Sequence, residues 1–222
     1  KSTSITLAEF EAQMNSLHEQ GYRTLSMDEV VGYLQGGLYP PKIVAIHFDD
    51  GWQSALDALP VLKRFGFKAS FWIIAGTADT GWPHMDWNMI HELAKNPNID
   101  IYPHTMTHPW KNGDTLLDWV GDRTESKGIK QASWELTESK RLLEEKLGRQ
   151  MLYLAWPRGL YNDILIKLAQ KAGYRALLTI DDGLNHMGEN PLLIHRTMIS
   201  GGCDISVFRQ ILADGRHRDC LN

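Results

Sequence analysis

Lys42-Ile43-Val44-Ala45-Ile46-His47-Phe48-Asp49-Asp50-Gly51 decides how the chain is read. The first half is a continuous apolar run rich in β-branched residues, the composition of a strand buried on both faces. The second half sets two adjacent carboxylates at the end of that strand, where a charge needs a partner or a metal. Neighbouring side chains on a strand point to opposite faces, so Asp49 and Asp50 are expected to aim differently and to take different roles. Gly51 lets the backbone turn without a Cβ clash. Asp-Asp-Gly is also ordinary turn chemistry, and alone it would read as two solvated acids at a loop tip.

Outward from this stretch, helix and strand alternate. Thr6-Leu7-Ala8-Glu9 has the form of a capping box, and Leu7, Phe10, Met14 and Leu17 recur at helical spacing up to Gln20-Gly21. Ser26-Met27-Asp28-Glu29 opens a second short helix that ends at Gly36-Gly37, and Pro40-Pro41 punctuates the chain before the strand at 43–48. Downstream, helices are expected over 53–65 (stopped by Gly66), 86–95, 135–147 (ending at Gly148), 163–171 (closed by Gly173) and 205–213. Strands are expected over 69–75, 99–102 (halted by Pro103), 152–156, 174–180 and 192–199. Residues 109–130 read as one long loop, functional or mobile. Apolar strands alternating with helices give a parallel sheet covered by helices, open or closed into a barrel. In such folds the working residues gather at the carboxyl ends of the strands.

The bulk numbers set outer limits. A chain of 222 residues has room for one large α/β domain or two small ones, and for a core that needs no staples. Hydrophobic content of 43% and charged content of 23% are ordinary for a globular protein. A net charge of -4 gives no electrostatic footprint for nucleic acid or an anionic membrane. No apolar run reaches the roughly 18 residues of a transmembrane helix. No signal peptide is visible, and Lys1-Ser2-Thr3-Ser4 reads as the interior of a longer precursor. Cys203 and Cys220 are open to pairing in an oxidising compartment. Trp52, Trp82, Trp87, Trp110 and Trp156 fall near expected strand ends, where they suit core packing or a sugar groove.

Two further polar groups lie at strand ends. His104-Thr105-Met106-Thr107-His108 follows the strand at 99–102; read as a helical turn, it puts two imidazoles on one side, a spacing suited to one metal ion. With nine histidines such a pair arises by chance, and its place at a strand end is what gives it weight. Two histidines and a carboxylate make a three-ligand site with positions open for water and substrate. Zinc, cobalt and nickel suit such donors. The other group, Ala155-Trp156-Pro157-Arg158-Gly159-Leu160-Tyr161-Asn162, reads as a plain turn with a helix cap, or as a turn that offers a backbone N–H to an oxyanion.

Together these residues resemble a known family. His47-Phe48-Asp49-Asp50-Gly51 is similar to the Thr-Phe-Asp-Asp-Gly motif of the polysaccharide deacetylases, the NodB-homology group of carbohydrate esterases. His104 to His108 resembles that family's metal-binding motif, and Trp156 to Asn162 its Pro-Tyr-Gly motif. The resemblance runs from about residue 5 to 212. It implies a distorted (β/α) barrel of mostly parallel strands, a single catalytic domain over 1–222 with a helical lead-in over 1–40, and a divalent metal, zinc first, with cobalt or nickel as alternatives. Carried over by position, Asp49 is the general base and Asp50, His104 and His108 are the metal ligands.

The departures are specific. His47 stands where the motif has threonine, and Arg158 follows the proline where the family has an aromatic. The family's arginine falls at Ala155, and Arg196 is the candidate to supply that charge from a neighbouring strand. Arg158, by its backbone N–H, and Arg196 are thus the oxyanion or substrate candidates. Leu193-Ile194-His195 matches a Leu-x-His motif that supplies the catalytic acid in many members. The helical opening, however, resembles the permuted branch that includes poly-N-acetylglucosamine deacetylases. There the acid histidine precedes this opening, so an N-terminally truncated domain is the alternative to His195.

The expected function is a metal-dependent hydrolase, a polysaccharide N-deacetylase acting on poly-N-acetylglucosamine, chitin or peptidoglycan. An extracellular, periplasmic or cell-envelope location follows from the resemblance. Three other readings compete. A carbohydrate-binding homologue would keep the metal site and lose turnover. A non-haem iron oxygenase would use His47-x-Asp49 with a distant histidine, though such sites sit in all-β folds. A glycosidase needs carboxylates flanking a glycosidic bond, which adjacent acids on one strand do not provide.

Overall fold

The computed structural model describes residues 4–121 and 126–220. Local chemistry sets its first elements. Thr6 and Glu9 close a reciprocal capping box at the start of α1 (Leu7–Glu19): the Thr6 hydroxyl accepts from the Glu9 amide and the Glu9 carboxylate from the Thr6 amide. After β1 (Arg23–Thr24), Ser26 and Glu29 repeat the device at α2 (Met27–Leu34).

The stretch expected as one buried strand over 43–48 is two pieces with different partners. β2 (Ile43–Val44) pairs in parallel with β1, and β3 (His47–Phe48) lies next in the chain. Its apolar residues are half-buried rather than buried, and the segment at 192–199 that was expected as a strand is not one. There Pro191 and Asn190 form a single 3-10 turn over Pro191–Leu193, and only Ile194 bridges to the sheet. The helix expected over 53–65 begins as a 3-10 turn, Gln53–Ala58, before α3 (Leu59–Phe65). Pro60 sits in the first turn of α3, where its missing N–H costs nothing, and Gly66 closes the helix at φ 66°.

β4 (Ala69–Ile73) pairs in parallel with β3, and after α4 (Trp87–Ala94) β5 (Ile99–Pro103) pairs in parallel with β4. Residues 109–130, expected as loop, hold a hairpin of β6 (Trp110–Lys111) and β7 (Asp114–Thr115), then α5 (Leu116–Gly121) and the start of α6 (Ser126–Leu147); residues 122–125 lie outside the described set. The helix expected over 135–147 therefore starts nine residues earlier. β8 (Tyr153–Ala155), α7 (Asp163–Lys171), β9 (Ala176–Leu178) and α8 (Ile205–Asp214) complete the order, with β8 and β9 parallel. Among the described residues every strand pair except the hairpin is parallel, and one isolated antiparallel bridge joins Trp52 to His84. The distorted barrel is an arc of strands whose ladders leave gaps among the described residues. Cys203 and Cys220 are disulfide-bonded, tying the start of α8 to the tail.

The register fixes two faces. Phe48 stacks on Phe71 at 4.7 Å and meets Phe10 of α1 at 5.6 Å, so this face is the outer core. The opposite face carries His47, Trp72, Tyr102 and Tyr153 in a chain of ring contacts at 5.7, 5.4 and 5.0 Å, which fills the barrel interior. Alternation along β3 and β5 then brings Asp49 and His104 onto the interior face at the carboxyl ends.

Candidate active site

Backbone conformation, not strand alternation, aims the second carboxylate. A strand continued through Asp50 would turn it toward α1. Instead Asp50 adopts φ 69°, which folds it back over the barrel mouth. The expectation that the two acids diverge is corrected by this: Asp49 Oδ2 lies 3.9 Å from His104 Nε2 and Asp50 Oδ1 lies 3.5 Å from the same atom. The histidine pair is also not a helical turn. Thr105 and His108 adopt φ 65° and 53°, and this looped path brings the two rings to 4.7 Å. The Thr105 hydroxyl accepts from the His108 amide at 3.2 Å inside the turn. Arg158, at φ 54°, adds a fourth left-handed residue at the mouth. L-residues held there store backbone strain, a recurrent feature of functional sites.

Asp50, His104 and His108 form a donor set whose atoms lie within 4.8 Å of one another. His108 Nε2 is 3.5 Å from Asp50 Oδ1, matching the His104 distance. Donors around a tetrahedral zinc ion stand roughly 3.3 Å apart, so the cluster fits a divalent cation. The tautomers fit too. His104 Nδ1 lies 2.9 Å from the Ala155 carbonyl, which can only accept, so Nδ1 carries the proton and Nε2 keeps its lone pair for the cluster. Burial and the neighbouring His104 push His108 down to about 4, which keeps it a neutral, ligating imidazole. Asp50 Oδ2 accepts from Trp52 Nε1 at 3.1 Å, and the Trp52 ring stacks on His84 at 4.4 Å.

Asp49 stands beside this set and outside it. The Arg196 guanidinium forks onto it, Nη1 to Oδ1 at 2.8 Å and Nη2 to Oδ2 at 3.0 Å, while Arg196 Nε donates to the Thr179 carbonyl at 2.9 Å. Burial alone would raise the Asp49 pKa. The Arg196 charge, with His104 and His47, overrides it and holds the carboxyl well below the usual carboxylate range. Arg196 thus reaches from the segment after β9 to Asp49. Arg158 points elsewhere: its Nη1 donates to the Trp110 carbonyl at 2.9 Å and to Asn112 Oδ1 at 3.2 Å. His195 Nδ1 lies 3.2 Å from the Asp181 carbonyl, and its backbone is held by Asn185. His47, the ligand required by the iron-oxygenase reading, instead accepts the Trp72 indole N–H on Nδ1 at 3.0 Å and stands outside the donor set.

Sequence reasoning missed one residue with a clear task. Glu135 of α6 is 1% exposed and holds the loop between the two histidines. Its carboxylate accepts from the Met106 amide at 2.9 Å, the Thr107 amide at 2.8 Å and the Thr107 hydroxyl. On the helix it reads as one acid among many, and no local signal marks it.

Known proteins resemble this chain in sequence and in fold. YxkH of Bacillus subtilis (strain 168), itself assigned to the polysaccharide deacetylases, is 32% identical over 209 residues, covering 93% of this chain and 70% of the relative. The poly-β-1,6-N-acetyl-D-glucosamine N-deacetylase of Staphylococcus aureus (strain MRSA252) is 25% identical over 207 residues, 90% of this chain and 69% of the relative. Among solved structures, the Streptococcus pyogenes deacetylase PplD in complex with acetate superposes with a TM-score of 0.77 at 25% identity, covering 88% of this chain and 82% of that one. IcaB from Ammonifex degensii superposes with a TM-score of 0.80 at 23% identity, over 95% and 89% of the two chains. The sequence pattern of the polysaccharide deacetylases matches residues 37–177, and this chain belongs to that family of hydrolases.

Proposed function

We propose that the chain removes N-acetyl groups from an N-acetylhexosamine polymer, with Asp49 as general base and with Asp50, His104 and His108 holding a divalent cation, zinc by preference. The observation that carries this reading is an arginine-gripped carboxylate, Asp49, 3.9 Å from an imidazole of the three-donor cluster. A bound cation supplies a Lewis acid for the acetyl carbonyl and acidifies a water. Asp49, kept ionised by Arg196, accepts the proton of the attacking water on its carboxylate. The forked contact also fixes the direction of that carboxylate. With the Arg158 side chain engaged by the hairpin, its backbone N–H is the proposed oxyanion donor. His195, engaged with the Asp181 carbonyl, is given no role in this proposal.

Poly-β-1,6-N-acetylglucosamine is the first substrate to try, because the Staphylococcus aureus relative carries that polymer in its name. The formed disulfide supports an oxidising, extracytoplasmic setting, and no helix among the described residues is long and apolar enough to cross a membrane. The test is acetate release from N-acetylglucosamine oligomers. Activity should vanish on chelation and return with zinc or cobalt. Asp49→Asn should lose about 10²–10⁴-fold in turnover while still binding the metal. No release from any oligomer with metal present would sink the reading.

A further inference from the structure

Three exposed indoles stand on the loops that follow consecutive strands: Trp52 after β3, Trp82 after β4 and Trp110 after β5, at 40, 76 and 59% exposure. Trp110 is distinguished by how firmly its backbone is held. It opens the hairpin two residues after His108, with pairs Trp110↔Thr115 and Lys111↔Asp114, and Gly113 at φ 78° makes the reversal. So short a hairpin has no stability of its own in water. Its base is fixed by Asp118, which accepts from the Thr115 amide and hydroxyl at 3.0 and 2.7 Å, and by Trp119 Nε1 on Asp114 at 2.7 Å. Its tip is fixed by Arg158, which bridges from the end of β8 to the Trp110 carbonyl and Asn112. The fold thus immobilises the backbone of this hairpin and leaves its one large apolar side chain in solvent.

Resting on the deacetylase reading, we propose that the hairpin is a sugar subsite. Trp110 stacks on a hexosamine ring adjacent to the one that loses its acetyl group, and Arg158 is the positioning residue. A pyranose presents apolar C–H faces within a rim of hydroxyls. An exposed indole face flanked by Lys111 and Asn112 offers the matching pattern, an apolar plane with donors and acceptors at its edge. Arg158 joins this subsite to the turn at the mouth, so ring stacking and the reacting amide share one rigid reference. The subsite makes the protein selective for extended chains over a monosaccharide or disaccharide.

The test compares N-acetylglucosamine dimer and pentamer, in binding to metal-stripped protein by calorimetry and in kcat/KM of the zinc-loaded enzyme. Trp110→Ala should weaken pentamer binding about tenfold, ~1.4 kcal/mol, and flatten the preference for pentamer. Arg158→Ala should reproduce the loss, and the double variant should add little to either one. Trp134→Ala, removing an exposed indole on α6, should change neither measurement. Unchanged pentamer binding and unchanged chain-length preference in Trp110→Ala overturn the subsite. A parent enzyme that deacetylates dimer and pentamer equally overturns the subsite alone. A parent that neither binds nor deacetylates any oligomer overturns the deacetylase reading and the subsite with it.

Discussion

Removing the Glu135 carboxylate should loosen the metal loop from behind. Glu135 takes three hydrogen bonds from Met106 and Thr107, the residues that link the two histidines. Glu135→Ala strands two amides and a hydroxyl. A buried orphan costs about 1–3 kcal/mol, and bonds to a charged acceptor are worth about 1.5–3 kcal/mol each. Thr107 is exposed, so water replaces part of what is lost, and the sum comes to about 3–5 kcal/mol. That is a large share of a domain's stability of about 5–15 kcal/mol. Because Thr105 and His108 are held at left-handed φ, the released loop is expected to relax away from the geometry that aims His108. Loss of a partner behind the ligands costs about 10–100-fold in metal affinity. Glu135→Gln keeps one carbonyl acceptor for the two amides, and its NH₂ can donate to the Thr107 hydroxyl, so it should lose about 1 kcal/mol and under tenfold in affinity. Zinc titration of metal-free protein by calorimetry, alongside thermal melting, separates the cases. Glu135→Ala binding zinc as tightly as its parent would refute this reasoning.

Other outcomes follow from single contacts. Arg196→Lys should cut turnover, since a point charge cannot fork onto Asp49 and also reach the Thr179 carbonyl. Arg196→Ala should in addition raise the Asp49 pKa, so activity is lost at a higher pH on the acid side; an unmoved acid limb in kcat/KM would contradict this. His47 is pushed down to about 3 by burial and then by Arg196, so its stabilisation is complete above about pH 6.5 and is lost as pH falls toward 3. At pH 5 it should account for about 2 kcal/mol of acid destabilisation, and His47→Thr should therefore flatten denaturant midpoints between pH 7 and 5. The disulfide closes a separation of 17 residues, so Cys220→Ser should cost about 3 kcal/mol, seen as a lower Tm, with zinc affinity retained.

What the sequence made legible was local or carried by motif order. Thr6, Ser26, Asp86 and Asn162 cap their helices because each cap needs only a side chain and an amide three residues on. Asp50, His104 and His108 were readable because each follows an apolar strand and the motifs come in the family's order. The segment 192–199 failed because its apolar content matches a strand, while pairing depends on neighbours and only Ile194 finds one. The hairpin at 110–115 carries the preferred reversal Asn112-Gly113, but that signal was missed because Trp110 is the one large apolar residue beside it and the alternation that marks a strand is lacking. The supports of the site were out of reach for a different reason. Arg196 was named from the family's motif as a charge for the site, but its fork onto Asp49 spans 147 positions and Glu135 meets Thr107 across 28, and no spacing rule connects such pairs. Left-handed φ at Asp50 was equally hidden, since aspartate merely tolerates it.

The Trp52 indole N–H engages one of the two oxygens that Asp50 presents. With Oδ2 engaged by that N–H and Oδ1 turned to both imidazoles, the carboxylate would meet a cation in the proposed site through one oxygen. A monodentate carboxylate with two nitrogens suits a small borderline cation and serves calcium poorly, because calcium collects six to eight oxygens. A cation held by these three donors would keep its remaining positions available for exchange with solvent and substrate. In the proposed site Trp52 would act as a denticity lock. Trp52→Phe, which keeps the ring and deletes the N–H, would free the second oxygen to chelate and close one of those positions.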